Sequence, residues 1–207
     1  MAFIKKQIPQ MVATDERKQS RDCASLVVAL ESSNPTARRW AARDLMDCPE
    51  VSAVLIQHLQ REDDVSVREV ILTTLTALGD EAAVAGLVNC LKSEDAALRN
   101  EAIEAMKQLP DEVAPIMRGL LDDDDPDVRI FAVNILESLC HPEVESWLLS
   151  VIENDPQLNV CATAVDLLGE VGSAAAREPL QHLKARFADE PYIQFAADVA
   201  LKRLGEA

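Results

Sequence analysis

The sequence predicts an all-α fold, a solenoid of about six stacked antiparallel helix pairs, and three observations carry the prediction. One frame recurs along the chain as "NPTARRWAARDL", "DVSVREVILTTL", "DAALRNEAIEAM", "DPDVRIFAVNIL", "DPQLNVCATAVD" and "EPYIQFAADVAL". Aligned on Arg38, Arg68, Arg99, Arg129, Asn159 and Gln194, the copies lie 30, 31, 30, 30 and 35 residues apart. A second apolar stretch with helical spacing precedes every copy. The composition is 48% hydrophobic but only 3% aromatic, so the core is built of Leu, Val, Ile and Ala, and closely packed helices are favoured over a sheet.

Taken in order, each element has its own reason. In the first pair (residues 21–50), "CASLVVAL" forms helix A. Asn34 then caps helix B by accepting from its first free amides, and Pro35 takes the position where a missing N–H costs nothing. The second pair (51–80) sets "SAVLIQHL" before the Asp64 cap, and the third (81–111) sets "AVAGLVNCL" before Asp95. The fourth (112–142) sets "APIMRGLL" before Asp125 and Pro126. The fifth (143–172) has "SWLLSVI" before Asp155 and Pro156, and the sixth (173–207) has "REPLQHLKARF" before Glu190 and Pro191. Tight links such as "LGDE", "LPDE", "CHPE" and "EVGS" join the pairs. Residues 1–20 read as a lead-in segment and 21–207 as one repeat domain.

Within each helix B, the residue before the anchor is apolar: Ala37, Val67, Leu98, Val128, Leu158 and Ile193. Three after it stand Ala41, Ile71, Ala102, Ala132, Ala162 and Ala197. Seven after it stand Leu45, Leu75, Met106, Leu136 and Leu201, with Asp166 as the exception. These offsets trace one helical face, which a single pair cannot bury and a stack can.

Charge and cysteine content narrow the function classes. The net charge is −16, which argues against a protein gripping nucleic acid through phosphates. Cys23, Cys48, Cys90, Cys140 and Cys161 are widely spaced, without a C-x-x-C, and read as free thiols of a reducing compartment. No window approaches the roughly 20 apolar residues of a membrane span, and no signal peptide is evident, so a cytoplasmic location without membrane insertion is expected.

The run "LLDDDDPDVRIFA" is the densest acidic feature, yet it lacks the glycine and spaced ligands of a calcium loop. Its carboxylates suit a turn before a helix N-terminus, where the dipole favours negative charge. Cys140 and His141 are adjacent and do not face one another as a dyad would. His58 and His182 lie in different A helices. No catalytic residue, metal site or cofactor is expected.

The "D-P-x-V-R-x-x-A" frame, clearest from Asp125 to Ala132, resembles the short repeats of HEAT-repeat proteins of the phycobilisome-lyase type, over about Arg21 to Gly205. The resemblance implies a right-handed superhelix with the B helices on the concave, docking side. It also implies a structural ladder in which Arg38, Arg68, Arg99 and Arg129 pair with acids of neighbouring repeats. Asn159 and Gln194 depart from that pattern, and Gln194 suits a terminal cap. One after the anchor, the concave face would carry Arg39, Glu69, Asn100, Ile130, Val160 and Phe195. Five after it would come Arg43, Thr73, Glu104, Asn134, Ala164 and Val199.

The expected partner-binding residues are therefore Arg39, Trp40, Arg43, Glu69, Asn100, Glu104, Ile130, Asn134, Val160 and Phe195, charged at one end and apolar at the other. An apolar stripe of this kind marks a docking surface. The expectation is a non-enzymatic scaffold or adaptor that binds a protein or peptide. The alternative is a bilin-lyase-like or otherwise enzyme-assisting protein, because the repeats are similar to those of bilin lyases. A DNA-base glycosylase-like role ranks behind both, given the charge.

Overall fold

A computed structural model describes residues 22–206. The lead-in segment expected over residues 1–20 lies outside the described residues. Every regular element among the described residues is helical. The helices pair as α1 (Cys23–Ala29) with α2 (Pro35–Asp44), α3 (Ser52–Leu59) with α4 (Val65–Leu78), and α5 (Glu81–Cys90) with α6 (Ala96–Met106). The remaining pairs are α7 (Pro110–Leu121) with α8 (Pro126–Leu136), α9 (Val144–Asn154) with α10 (Leu158–Val171), and α11 (Arg177–Arg186) with α12 (Pro191–Glu206). The even-numbered B helices pack one on the next from α2 to α12, and the A helices do so from α3 to α11. The chain is an all-α solenoid.

Local chemistry sets the helix ends. The side chains of Asn34, Asp64, Asp95 and Asp125 accept from first-turn amides of α2, α4, α6 and α8. Such caps contribute about 1 kcal/mol each. α4 stops at Gly79, whose φ of 56° is the left-handed conformation that ends helices. Its N–H donates to the Leu75 carbonyl at 2.9 Å.

The frame's apolar columns form the core. Ala41, Ile71, Ala102, Ala132 and Ala197 are fully buried, as are Leu45, Leu75 and Met106. Each buried leucine contributes about 1.5–3 kcal/mol relative to exposure. Among the A helices, α5 approaches α3 most intimately at Gly86: a Cβ there would lie 2.3 Å from Ile56 Cγ1.

The expectation of five free thiols is corrected. Cys23 and Cys48 form a disulfide with Cα atoms 5.8 Å apart, tying the start of α1 to the 3₁₀ turn that follows α2. The helical hairpin closes the 25-residue separation that made the pair invisible as a spacing motif. Cys90 and Cys161 are buried thiols, and Cys140 is an exposed one.

Candidate partner-binding face

The four anchor arginines bridge successive repeats. Arg38 clasps the Glu62 carboxylate through Nε and Nη2 at 2.6 and 2.7 Å, and Nη1 donates to the Ser32 carbonyl at 2.8 Å. Arg68 donates to Asp95 at 2.8 Å and to Glu101 at 3.1 Å. Arg129 holds Asp155 through Nε and Nη2 at 2.6 and 3.0 Å, and Nη1 donates to the Asp123 carbonyl at 2.8 Å. Arg99 is the outlier. It donates to the Ser93 carbonyl at 2.6 Å but meets the next repeat through the Phe131 ring, 5.9 Å away, instead of a carboxylate. Planar, two-pronged guanidinium contacts of this kind fix register.

The fifth repeat is built differently. Asp155, the counterpart of Asp125, accepts from the Gln157 amide at 2.8 Å, but the N-cap of α10 is Gln157 and the helix begins only at Leu158, three residues after Asp155, where α8 begins one after Asp125. The ladder position therefore falls on buried Cys161, not on exposed Asn159. Arg186 of α11 reaches back to fill the place, donating to the Asp155 carbonyl at 2.9 Å and the Glu153 carbonyl at 2.5 Å, with Nη2 3.1 Å from Cys161 Sγ. In α12, Gln194 Nε2 donates to the carbonyls of Lys184 and Phe187 at 2.8 and 3.0 Å.

The acid run is a turn in which the Asp123 carboxylate is engaged. Asp123 accepts from Lys92 Nζ at 2.9 Å and from the Asp125 amide at 3.0 Å, while the Asp123 and Asp124 carbonyls receive Arg129. The backbone bond first and then Lys92 hold the Asp123 carboxyl below its usual range. Among the described residues, no group of three or more His, Cys, Asp or Glu side chains is arranged to hold a metal ion.

One charged cluster was missed from the sequence. His58 is buried, and its Nε2 lies 2.8 Å from Glu62 Oε2, so Glu62 sits between His58 and Arg38. Burial alone raises the Glu62 pKa. The bonds from Arg38, the Asp64 amide and His58 outweigh burial and hold it down at about 2. Helical spacing was no guide to it, because α3 ends at Leu59 and Glu62 lies in the turn that follows.

The outward stripe of the B helices is partly as expected. Glu69, Asn100, Glu104, Arg43 and Phe195 are exposed, and Arg39, Trp40, Ile130 and Asn134 are half-buried. Arg43 lies over the Trp40 ring at 5.3 Å. Val160 is a correction: it is fully buried in the core. The two-residue delay at the start of α10 turns Val160 inward, puts half-buried Ala162 in the outward place, and brings exposed Asp166 to the row of Asn134. Ala164 is likewise core, and Leu168, not Asp166, completes the leucine column. The apolar stripe is therefore not continuous over three repeats.

Two grooves open on this face. One, of about 480 Å³, lies between α4 and α6 and brings together Glu69, Thr73, Asn100 and Glu104. The other, of about 230 Å³, lies between α10 and α12, with Tyr192, Phe195 and Val199 on one wall and Asp166 on the other. Tyr192 donates its hydroxyl to Asp166 at 2.8 Å and, at 54% exposed, accompanies Phe195 at 68%.

A family model described as HEAT repeats matches residues 23–107, 52–125 and 113–202. The chain is 38% identical over 74 residues to the bilin biosynthesis protein PecE of Nostoc sp. (strain PCC 7120 / SAG 25.82 / UTEX 2576), a match covering 35% of this chain and 29% of PecE. It is 23% identical over 189 residues to the uncharacterized phycocyanin operon protein Z of Pseudanabaena tenuis (strain PCC 7409), covering 84% of this chain and 91% of that protein. Among solved structures, it is similar to the complex of CpcE and CpcF of phycocyanin lyase from Nostoc sp. PCC7120. That likeness has 18% identity, a TM-score of 0.38, and coverage of 96% of this chain and 99% of that one. The expectation that the chain is not an enzyme is overturned by the relation to a bilin biosynthesis protein. Repeat patterning reports how helices stack and is silent on the chemistry they serve.

Proposed function

We propose that this chain, which belongs to the HEAT-repeat family, works in a bilin-lyase-type reaction as one member of a protein complex, holding a partner protein along the outward face of its B helices. The observation that carries the docking half is the pair of open grooves on that face, one of them walled by the exposed rings of Tyr192 and Phe195. Large exposed aromatics are the residue type that dominates interface energetics. The relation to PecE and to a phycocyanin operon protein supports the choice of reaction.

In this reading the ladder arginines keep the array rigid, so that two grooves several repeats apart present one fixed surface. Arg39, Arg43 and Trp40 at the N-terminal end, and Phe195 at the C-terminal end, set the orientation of the partner. The test is to add the full chain to a bilin and apo-phycocyanin, with and without a CpcF-type second subunit. A change in the rate or yield of bilin attachment or release, read by absorbance, is expected. Absorbance identical to that of mixtures lacking the chain overturns the reading.

A further inference from the structure

We infer that the Cys23–Cys48 bond is a thiol–disulfide switch, which a dithiol reductant opens in the folded protein so that the docking end of the array loosens. The consequence for docking rests on the reading of the B face as a partner surface. The exchange itself stands apart from that reading.

The first helix depends on the bond more than any other helix depends on a single tie. α1 is seven residues long and buries Leu26, with Leu30 at its C-cap. A helix of that length does not hold its own shape. It packs on α2 and on the 3₁₀ turn that follows, whereas the A helices from α3 onward also stack on one another. Its C-terminal end meets the second repeat through the exposed Glu31–Arg61 ion pair and a 3.7 Å approach of His58 to Glu31. Exposed ion pairs contribute little, so the covalent bond is the firm attachment.

The link beyond Cys48 supplies an independent observation. Glu50 has a φ of 54°, the left-handed region that Gly79 occupies at the end of α4, and no other described non-glycine residue has a positive φ. A residue with a side chain keeps that conformation only where its surroundings impose it, and such positions gather at switch regions. The bond fixes Cys48 two residues before Glu50, so opening it releases the link as well as the helix.

Exchange is open to Cys23, which is exposed, and not to Cys48, which is 7% exposed. A thiolate of the reductant attacks the Cys23 sulfur, forming a mixed disulfide and releasing Cys48, which takes up a proton. The second thiolate of the reductant displaces Cys23, which is protonated in turn. Two electrons pass to the cysteine pair, and the reductant leaves as a disulfide. An oxidised dithiol runs the same steps backwards. Cys90 and Cys161 do not compete, because burial pushes both thiols up, Cys90 to about 11. Once α1 is released, α2 loses its cover, and α2 carries Arg39, Trp40 and Arg43.

The test begins with the full oxidised chain and dithiothreitol under native conditions. A maleimide should label Cys140 alone before reduction, and Cys23 and Cys48 as well afterwards, with the circular dichroism spectrum retained. Hydrogen exchange in α1 and α2 should quicken by about tenfold or more, and that in α6 and α8 should stay the same. A bond that yields only when the chain is denatured, or exchange in α2 equal in both forms, makes the disulfide a plain structural cross-link and overturns the switch.

The bilin assay then compares the two forms after the reductant is removed by gel filtration under argon. Reduction should lower the rate or yield by about fivefold or more, and Cys140→Ser should keep that response. The double variant Cys23→Ser, Cys48→Ser should match the reduced form and ignore dithiothreitol. Wild type active to the same degree in both forms defeats the switch and leaves the function standing. Wild type inert in both forms defeats the function, and the labelling and exchange data alone then decide the switch.

Discussion

Arg186 donates to the main-chain carbonyl of Asp155 at 2.9 Å, so a residue of α11 does for the fifth repeat what Arg38, Arg99 and Arg129 do for their own. In those three, the bonded carbonyl lies six residues before the arginine. Asp155 lies six before Cys161, so the guanidinium is supplied from the next repeat while the bond itself is kept. Asp155 is thereby held from two sides, by Arg129 on its carboxylate and Arg186 on its carbonyl.

Removing Arg129 strands a carboxylate that is nearly inaccessible, whereas removing Arg99 strands only a carbonyl. We expect Arg129→Ala to cost about 3–5 kcal/mol and Arg99→Ala about 1 kcal/mol, compared by urea denaturation at neutral pH. Equal losses would show that the carboxylate partner does not decide the cost.

Glu62 gives the fold an acid limit. Its pKa is held at about 2, below its ordinary 4.5, so the stabilisation is complete above pH 4.5 and is lost as pH falls from there toward 2. About 3 kcal/mol is at stake. Wild type should exceed Glu62→Gln in stability at pH 7, with the gap closing below pH 4. A gap constant from pH 7 to pH 3 would contradict this.

Gly86 has no room for a methyl group. Gly86→Ala should cost about 1–3 kcal/mol through overpacking against Ile56, read as a drop in Tm. Adding Ile56→Ala should recover part of the loss, and an additive double variant would rule out that contact as the cause.

Val160 and Phe195 were expected on one surface stripe and lie in opposite environments. Val160→Asp should unfold the C-terminal repeats, because it buries an unpaired charge. Phe195→Asp should leave the circular dichroism spectrum unchanged and the stability within about 0.5 kcal/mol of wild type. It should nevertheless weaken capture of the partner complex. A mild effect of Val160→Asp would mean that the register of α10 given above is wrong.

The frame was legible because packing repeats. Ala132 and Ala102 face the same problem of close helix approach, and Asp125 and Asp95 the same unsatisfied amides, so one solution recurs. The site was legible only where that frame holds. Glu69, Asn100 and Glu104 come together because α4 and α6 keep their register. At α10 the frame's aspartate, Asp155, is present but the helix starts two residues late behind Gln157, which no single residue type announces; the shifted alanine and leucine columns at Ala164 and Leu168 were the trace it left. The Cys23–Cys48 bond and the joining of Arg38 to His58 through Glu62 depend on three-dimensional closure between unlike positions, where no repeat offers a second copy to compare.

The disulfide makes the two ends of the array unequal. In a linear stack each repeat leans on its neighbours, so opening starts where support is thinnest and travels inward. At the α1–α2 end, a covalent link holds the hairpin shut even when its packing loosens. At the far end, α12 is retained by packing on α10, by Gln194 and by the Arg177 bond to the Leu204 carbonyl. Fraying should therefore run from the C-terminal end toward the middle, and hydrogen exchange should find α12 amides less protected than those of α2 until a reductant erases the difference. The same end carries Tyr192 and Phe195, so a bound partner would act as the missing clasp, and docking would read out as directional tightening of the whole solenoid.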